Sequence, residues 1–188
     1  KSIFFDDDTF NLGTKRISKL CDYLKEISLP WTMMGRLDIS PNWLYDKMVD
    51  SGCVGMRFGI ETFNIDVLKN IEKGIERRDF RKTLEYICLT YPEVMLHITM
   101  MSDMPGQTAK DTEIDMNIIK EMGFTNENIL RSYQLSKCAP FPGTKLYEQM
   151  QSRLDDATLK TYKAYDGGQD TIMKVSKKKT STHIETWS

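Results

Sequence analysis

The sequence is poor in the residues that usually announce a function. Its 188 residues hold two histidines, His97 and His183, and four cysteines, Cys21, Cys53, Cys88 and Cys138, spaced too widely for a metal-binding motif. No apolar run approaches the ~20 residues of a membrane-spanning helix, and no signal peptide is recognisable. Lys and Arg number 26 against 27 Asp and Glu, a formal net charge of −1, which argues against a nucleic-acid surface spread over the whole domain. A local basic patch stays open. Cys21, Cys53 and Cys88 sit in or beside apolar patterns, so they read as buried free thiols, and a reducing cytoplasm is the expected location. The 40% hydrophobic content is enough for the core of one domain.

Short apolar runs alternate with longer amphipathic ones. Strands are expected at Ser2–Phe5, Trp31–Met34, Cys53–Ile60, Val94–Met101 and Ile129–Leu135. Helices are expected at Thr14–Ile27, from Ser40-Pro41 to about Ser51, at Asn64–Ile71, Arg78–Tyr91, Lys110–Met122 and Lys145–Leu154. Ser40 is the expected cap of the second helix, with Pro41 in its first turn. This alternation is the pattern of parallel βαβ units. Beyond it, Gly167-Gly168 and the stretch KVSKKKTSTH read as a polar tail.

Polar clusters fall just after the strands: Asp6–Asp8, Arg36 with Asp38, Glu61-Thr62, Ser102-Asp103 and Ser136-Lys137. Parallel strands end at one edge, so these clusters are expected to converge on one mouth. Capping a turn accounts for any single aspartate of Asp6–Asp8, whereas three in a row need a compensating cation or amine. Pro105-Gly106 forms a tight turn and Thr108 is placed to cap the helix behind it. His97, inside an apolar strand, reads as a satisfied core histidine.

Two families bear on these acids. Haloacid-dehalogenase-type phosphotransferases place D-x-D-x-T/V after a first apolar strand. Asp6 and Asp8 match the pair, but the fifth position is Phe10, and Asp155-Asp156 stands in a helical context rather than at a strand end. The second likeness is broader. The run IFFDDDTFN…KLCDYL…W…RLD…LYDKMVDSGCVGMRFGIETFNIDVLKNIEKG…MPGQT…PFPGTKLYEQM resembles the radical S-adenosylmethionine (radical SAM) enzymes, most of all the branch that often carries an attached cobalamin-binding domain. It spans Ser2 to Met150, and GCVGMRFGIET and IEKG are its most diagnostic portions.

The resemblance implies an α/β fold, a partial (β/α) barrel of radical SAM type. The chain would supply the family's second to sixth strands over residues 1–150, followed by a polar C-terminal extension over 151–188. It also implies a [4Fe–4S] cluster, held by a C-x3-C-x2-C loop after the first strand. The cluster reduces S-adenosylmethionine to methionine and a 5′-deoxyadenosyl radical that takes hydrogen from a substrate. By the same resemblance Asp6, Asp7 and Asp8 face the methionine amine, and Arg36 and Asp38 face the same mouth. Glu61 and Thr62 approach the ribose or methionyl group, and Lys73 the methionine carboxylate. Asp103 to Gly106, with Pro105, line the adenine side, and Leu135 and Ser136 flank its ring. Where the family usually has glycine before x-Pro, this chain has Asp103.

No C-x3-C-x2-C occurs in the chain. The cluster ligands, the first strand and any cobalamin are therefore expected outside it, the start at Lys1 is expected to be the cut edge of a longer protein, and the chain alone is expected to be inactive. The implied substrate is a small molecule or is left unknown, and the implied electron donor is one such as flavodoxin or ferredoxin. The alternatives are a degenerate, non-catalytic binding module on the same scaffold, or the phosphotransferase using Asp6 and Asp8.

Overall fold

The computed structural model describes residues 1–71 and 79–150, with backbone alone at 149 and 150. Five strands, β1 (Ile3–Phe5), β2 (Trp31–Gly35), β3 (Cys53–Glu61), β4 (Met95–Ser102) and β5 (Arg131–Lys137), alternate with helices α1 (Thr14–Ile27), α2 (Asn42–Asp50), α3 (Ile65–Asn70), α4 (Phe80–Thr90), α5 (Ala109–Glu121) and α6 (Lys145–Met150). The expected helical start at Arg78, and the extension over 151–188, lie outside the described residues.

All four strand pairings are parallel and the sheet order is β1-β2-β3-β4-β5. Each connection steps one strand in the same direction, so right-handed crossovers set the helices on one face. That is the topology of a curling half-barrel. An open, doubly wound sheet reverses its strand order and places its ligand crevice at that reversal; this sheet has no such point among the described residues. The phosphotransferase reading therefore gains nothing from the fold.

Local chemistry explains the elements. In α1, Ile17, Cys21 and Leu24 fall on one stripe and are buried, and the helix ends where Ser28 turns left-handed at φ 55° and returns its N–H to the Leu24 carbonyl. Asn64 caps α3 by accepting from the N–H groups of Asp66 and Val67. Thr108 and Asp111 form the expected cap of α5 as a reciprocal capping box. The helix-side core runs along the sheet through Trp31, Met33, Met56, Phe58, Leu96 and Ile98, all at most 3% exposed. Phe10 packs over its β1–β2 end, with its ring 5.4 Å from Trp31 and 4.6 Å from Phe5.

Three local expectations need correction. Ser40 does not cap α2: its hydroxyl accepts from Asn11 Nδ2 at 2.8 Å, and Pro41 stands at the cap position without a side-chain bond. The last strand starts at Arg131, not Ile129, because the Asn128 side chain accepts the Leu130 N–H and holds that segment in a turn. Arg131 then fixes the strand, its buried guanidinium donating to the carbonyls of Val94, Leu130 and Tyr91 at 2.5–3.1 Å. His97 has a partner, as expected, but it is only half-buried, on the sheet face opposite the core.

Candidate functional site at the strand ends

Because every strand is parallel, Phe5, Gly35, Glu61, Ser102 and Lys137 end at one edge. Two residues at these ends are backbone outliers. Glu61 has φ 67° and Asp103 φ 59°, left-handed conformations that non-glycine residues seldom take. At β3 the register against β4 slips between Gly59 and Glu61, so Ile60 is skipped and the strand end twists. The Thr62 N–H then returns to the Ile60 carbonyl at 2.9 Å. At β4 the backbone keeps the conformation glycine favours, although the residue is Asp103.

The turn behind Asp103 is pinned by a residue the sequence did not single out. Gln107, 2% exposed, accepts the Met104 N–H at 3.2 Å and donates to the Met101 carbonyl at 3.1 Å. Asn70 at the end of α3 donates to the Pro105 carbonyl at 3.3 Å, and a Cβ on Gly106, which sits at φ 79°, would stand 2.5 Å from the same amide nitrogen. Cys138 joins the cluster from β5. Its N–H bonds the Ser102 carbonyl at 2.8 Å, and burial, with Asp103 and Glu61 nearby, pushes its thiol up to about 11. Glu61, Asp103 and Cys138 thus share one electrostatic neighbourhood at three consecutive strand ends.

The other expected site residues divide. Asp6, Asp7 and Asp8 are exposed in the turn after β1, and their side chains make no hydrogen bond or ion pair among the described residues. Arg36 and Asp38 engage each other: the guanidinium donates to both carboxylate oxygens at 3.0 and 2.8 Å, and this bond raises the Arg36 pKa. Asp38 is 2% exposed, so much of that charge is spent inside the turn. Thr62 is fully buried and its hydroxyl accepts the Asn64 N–H at 3.0 Å, a supporting role for the turn into α3. Leu135 and Ser136 are successive residues of β5, so their side chains face opposite sides of the sheet. Pro105 is half-buried in the turn. Lys73 lies outside the described residues.

Asn11 is a second residue that sequence reasoning missed. At 1% exposure its amide donates to the Arg36 carbonyl at 2.6 Å and accepts the Arg36 N–H at 2.9 Å, clamping the turn after β1 to the turn after β2. An asparagine after an aspartate cluster reads as turn chemistry, and nothing in the chain order reveals its partner 25 residues away.

Parallel β/α units opening on a shared mouth define the class, and comparison with known proteins places it. No family model matches the chain. It is 26% identical over 152 residues to an uncharacterized methyltransferase of Pyrococcus horikoshii, covering 79% of this chain and 31% of that protein. It is 23% identical over 167 residues to the bacteriochlorophyllide d C-12(1)-methyltransferase of Chlorobaculum tepidum, covering 86% and 34%. The chain therefore spans about a third of the length of the curated relatives it matches. Among solved structures it superimposes on the radical S-adenosylmethionine methyltransferase TsrM of Kitasatospora setae, determined with cobalamin and a [4Fe–4S] cluster, at TM-score 0.65 and 16% identity over 80% of this chain and 28% of that one. It superimposes on the radical SAM coproporphyrinogen III oxidase of Escherichia coli at TM-score 0.59 and 15% identity, over 83% and 35%. The fold is that of part of a radical SAM barrel, and the sequence is distantly similar to those of methyltransferases.

The described residues do not fit an iron–sulfur cluster. No group of three His, Cys, Asp or Glu side chains among the described residues could hold a metal ion. Cys21 and Cys53 are buried among helix-side core residues, and burial pushes the Cys53 thiol up to about 12. No helix among the described residues is long and apolar enough to cross a membrane.

Proposed function

We propose that this chain is the S-adenosylmethionine-facing part of a radical SAM enzyme, with the cluster ligands supplied from outside the residues described. The observation that carries the reading is the pairing of Glu61 and Asp103 at adjacent strand ends. Both are held at positive φ, and both carboxylates act on the Cys138 thiol. Such strain persists where a surrounding structure enforces it, and it concentrates at binding sites.

Two carboxylates at one mouth suit the ammonium of the methionyl group and the hydroxyls of a ribose. Glu61 and Asp103 are the residues assigned to that contact, with Asp6–Asp8 at the far end of the same edge. When bound, S-adenosylmethionine supplies the whole enzyme with a transferable methyl group or a hydrogen-abstracting fragment. The distant methyltransferase relatives favour methyl transfer as the outcome. The chain's own residues would orient the cofactor: the Gln107-pinned turn holds Asp103, and the register shift before Glu61 ends β3 at the mouth.

Isothermal titration of S-adenosylmethionine into the chain tests this. Binding that weakens about tenfold or more in Glu61→Ala supports the assignment, since losing one charge-assisted bond costs roughly 1.5–3 kcal/mol. Tight binding that survives Glu61→Ala and Asp103→Ala overturns it.

A further inference from the structure

The sheet face away from the helices carries polar residues in rows. Cross-strand register aligns Met34 with Arg57, Arg57 with His97, and His97 with Ser132. The next row toward the mouth aligns Gly59, Thr99 and Gln134. Residues alternate faces along each strand, and Phe58 and Ile98, from the intervening positions, are buried in the helix-side core. These two rows contain hydrogen-bond donors and one permanent cation, and no acid.

The Arg57 side chain is exposed and makes no hydrogen bond or ion pair among the described residues. His97 Nδ1 lies 2.9 Å from Ser132 Oγ, which leaves Nε2 as the ring nitrogen without a partner among those residues. Gln134 is held from the side, its amide donating to Ser136 Oγ at 3.0 Å. Acids appear only farther along, at Glu61 and Asp103. Four residues of strand separate Arg57 from Glu61, roughly 13 Å.

Resting on the reading of the mouth given above, we infer that Arg57, His97 and Gln134 form a binding site for an oxyanion, carboxylate or phosphoryl, carried by the substrate. The anionic end sits on the Arg57 row and the reacting end lies toward Glu61. A guanidinium with no protein partner is a strong oxyanion ligand, and an imidazole beside it adds a second donor once protonated. Burial and the Arg57 cation lower the His97 pKa. Of the side chains packed on His97 across the sheet, Arg57 on β3 is charged and Ser132 on β5 is neutral. An anion placed between Arg57 and His97 therefore reverses the effect of the Arg57 charge.

The test is an NMR pH titration of the His97 ring in the full chain, assigned with His97→Gln and with His183 as internal control. Sodium acetate, inorganic phosphate and sodium chloride are compared at equal ionic strength. Acetate or phosphate is expected to raise the His97 pKa by about half a unit or more relative to chloride, and the larger response identifies a carboxylate or a phosphoryl ligand. Arg57→Gln is expected to raise the pKa without added anion and to remove the anion response, with circular dichroism unchanged. Equal response to all three salts, or a response that survives Arg57→Gln, overturns the inference. Titrating S-adenosylmethionine into the same samples reads the mouth separately: an anion response with no cofactor binding sinks the mouth assignment alone, and the converse sinks this one.

Discussion

Replacing Asn11 with alanine and Gly35 with alanine, separately and together, gives a direct measure of how the turns after β1 and β2 are held. Asn11→Ala removes the acceptor of the Arg36 N–H and the donor to Ser40 Oγ, while Tyr45 continues to donate to the Arg36 carbonyl at 2.9 Å. An acceptor lost from a buried N–H costs about 1–3 kcal/mol and the Ser40 bond about 1 more, so the variant loses about 2–4 kcal/mol. That is a large part of the 5–15 kcal/mol typical of a folded domain. A Cβ at Gly35 falls on Asn11 Oδ1 and comes to 3.3 Å from Met33 Sδ. The amide must therefore leave Arg36, and Gly35→Ala costs about the same 1–3 kcal/mol. In the double variant the new methyl enters space that Asn11 has vacated, so the second substitution adds little. Urea unfolding, followed through the fully buried Trp31, should give a double-variant loss smaller than the sum by about 1–3 kcal/mol. Additivity within about 0.5 kcal/mol would refute the geometry.

At Asp103, glycine should be more stable than alanine by about 1 kcal/mol in the same urea assay, because only alanine keeps the left-handed penalty at φ 59°, and equal stabilities would remove the strain argument. The His97 pKa lies below its usual value in the fold, so the unfolded chain takes the proton first. Stability should be full above about pH 6.5 and decline as pH falls through the folded pKa, a decline that His97→Gln should flatten. With its thiol near 11, native Cys138 should react with a disulfide reagent at pH 8 roughly two orders of magnitude more slowly than a free thiol. Glu61→Gln and Asp103→Asn should each speed that reaction, since each removes a like charge, and no change in either variant would place the carboxylates elsewhere.

Much of the architecture was legible because it is local. The stripe Ile17, Cys21 and Leu24, the Thr108 capping box and the alternation of strand with helix all depend on neighbours within a few residues. The convergence of strand ends followed from parallel order alone. What stayed hidden depends on pairing. The spacing around Ser40 cannot show that its hydroxyl belongs to Asn11, 29 residues earlier. The apolar residues around His97 made it look like core, and only the register against Arg57 and Ser132 tells which face it takes. Gln107 was hidden for a related reason, since its bonds to the Met104 N–H and the Met101 carbonyl exist only once the turn closes.

The two ends of the exposed face differ in sign, and this bears on why the strained residues are acids. A left-handed position is cheapest for glycine, so placing Glu61 and Asp103 there costs about 1–2 kcal/mol each. That cost brings two carboxylates close enough to act on one thiol, with like charges disfavouring one another. Stability alone would select glycine at both positions. A cationic ligand group reverses the balance, since it neutralises the pair and is held more tightly by two acids than by one. The same reasoning applies with opposite sign to Arg57, whose cation finds no carboxylate on its own rows. A molecule spanning this face would therefore meet donors at its inner end and acceptors at the mouth. On the proposed reading, that polarity would orient a substrate toward the strand ends without requiring any part of the described sheet to move.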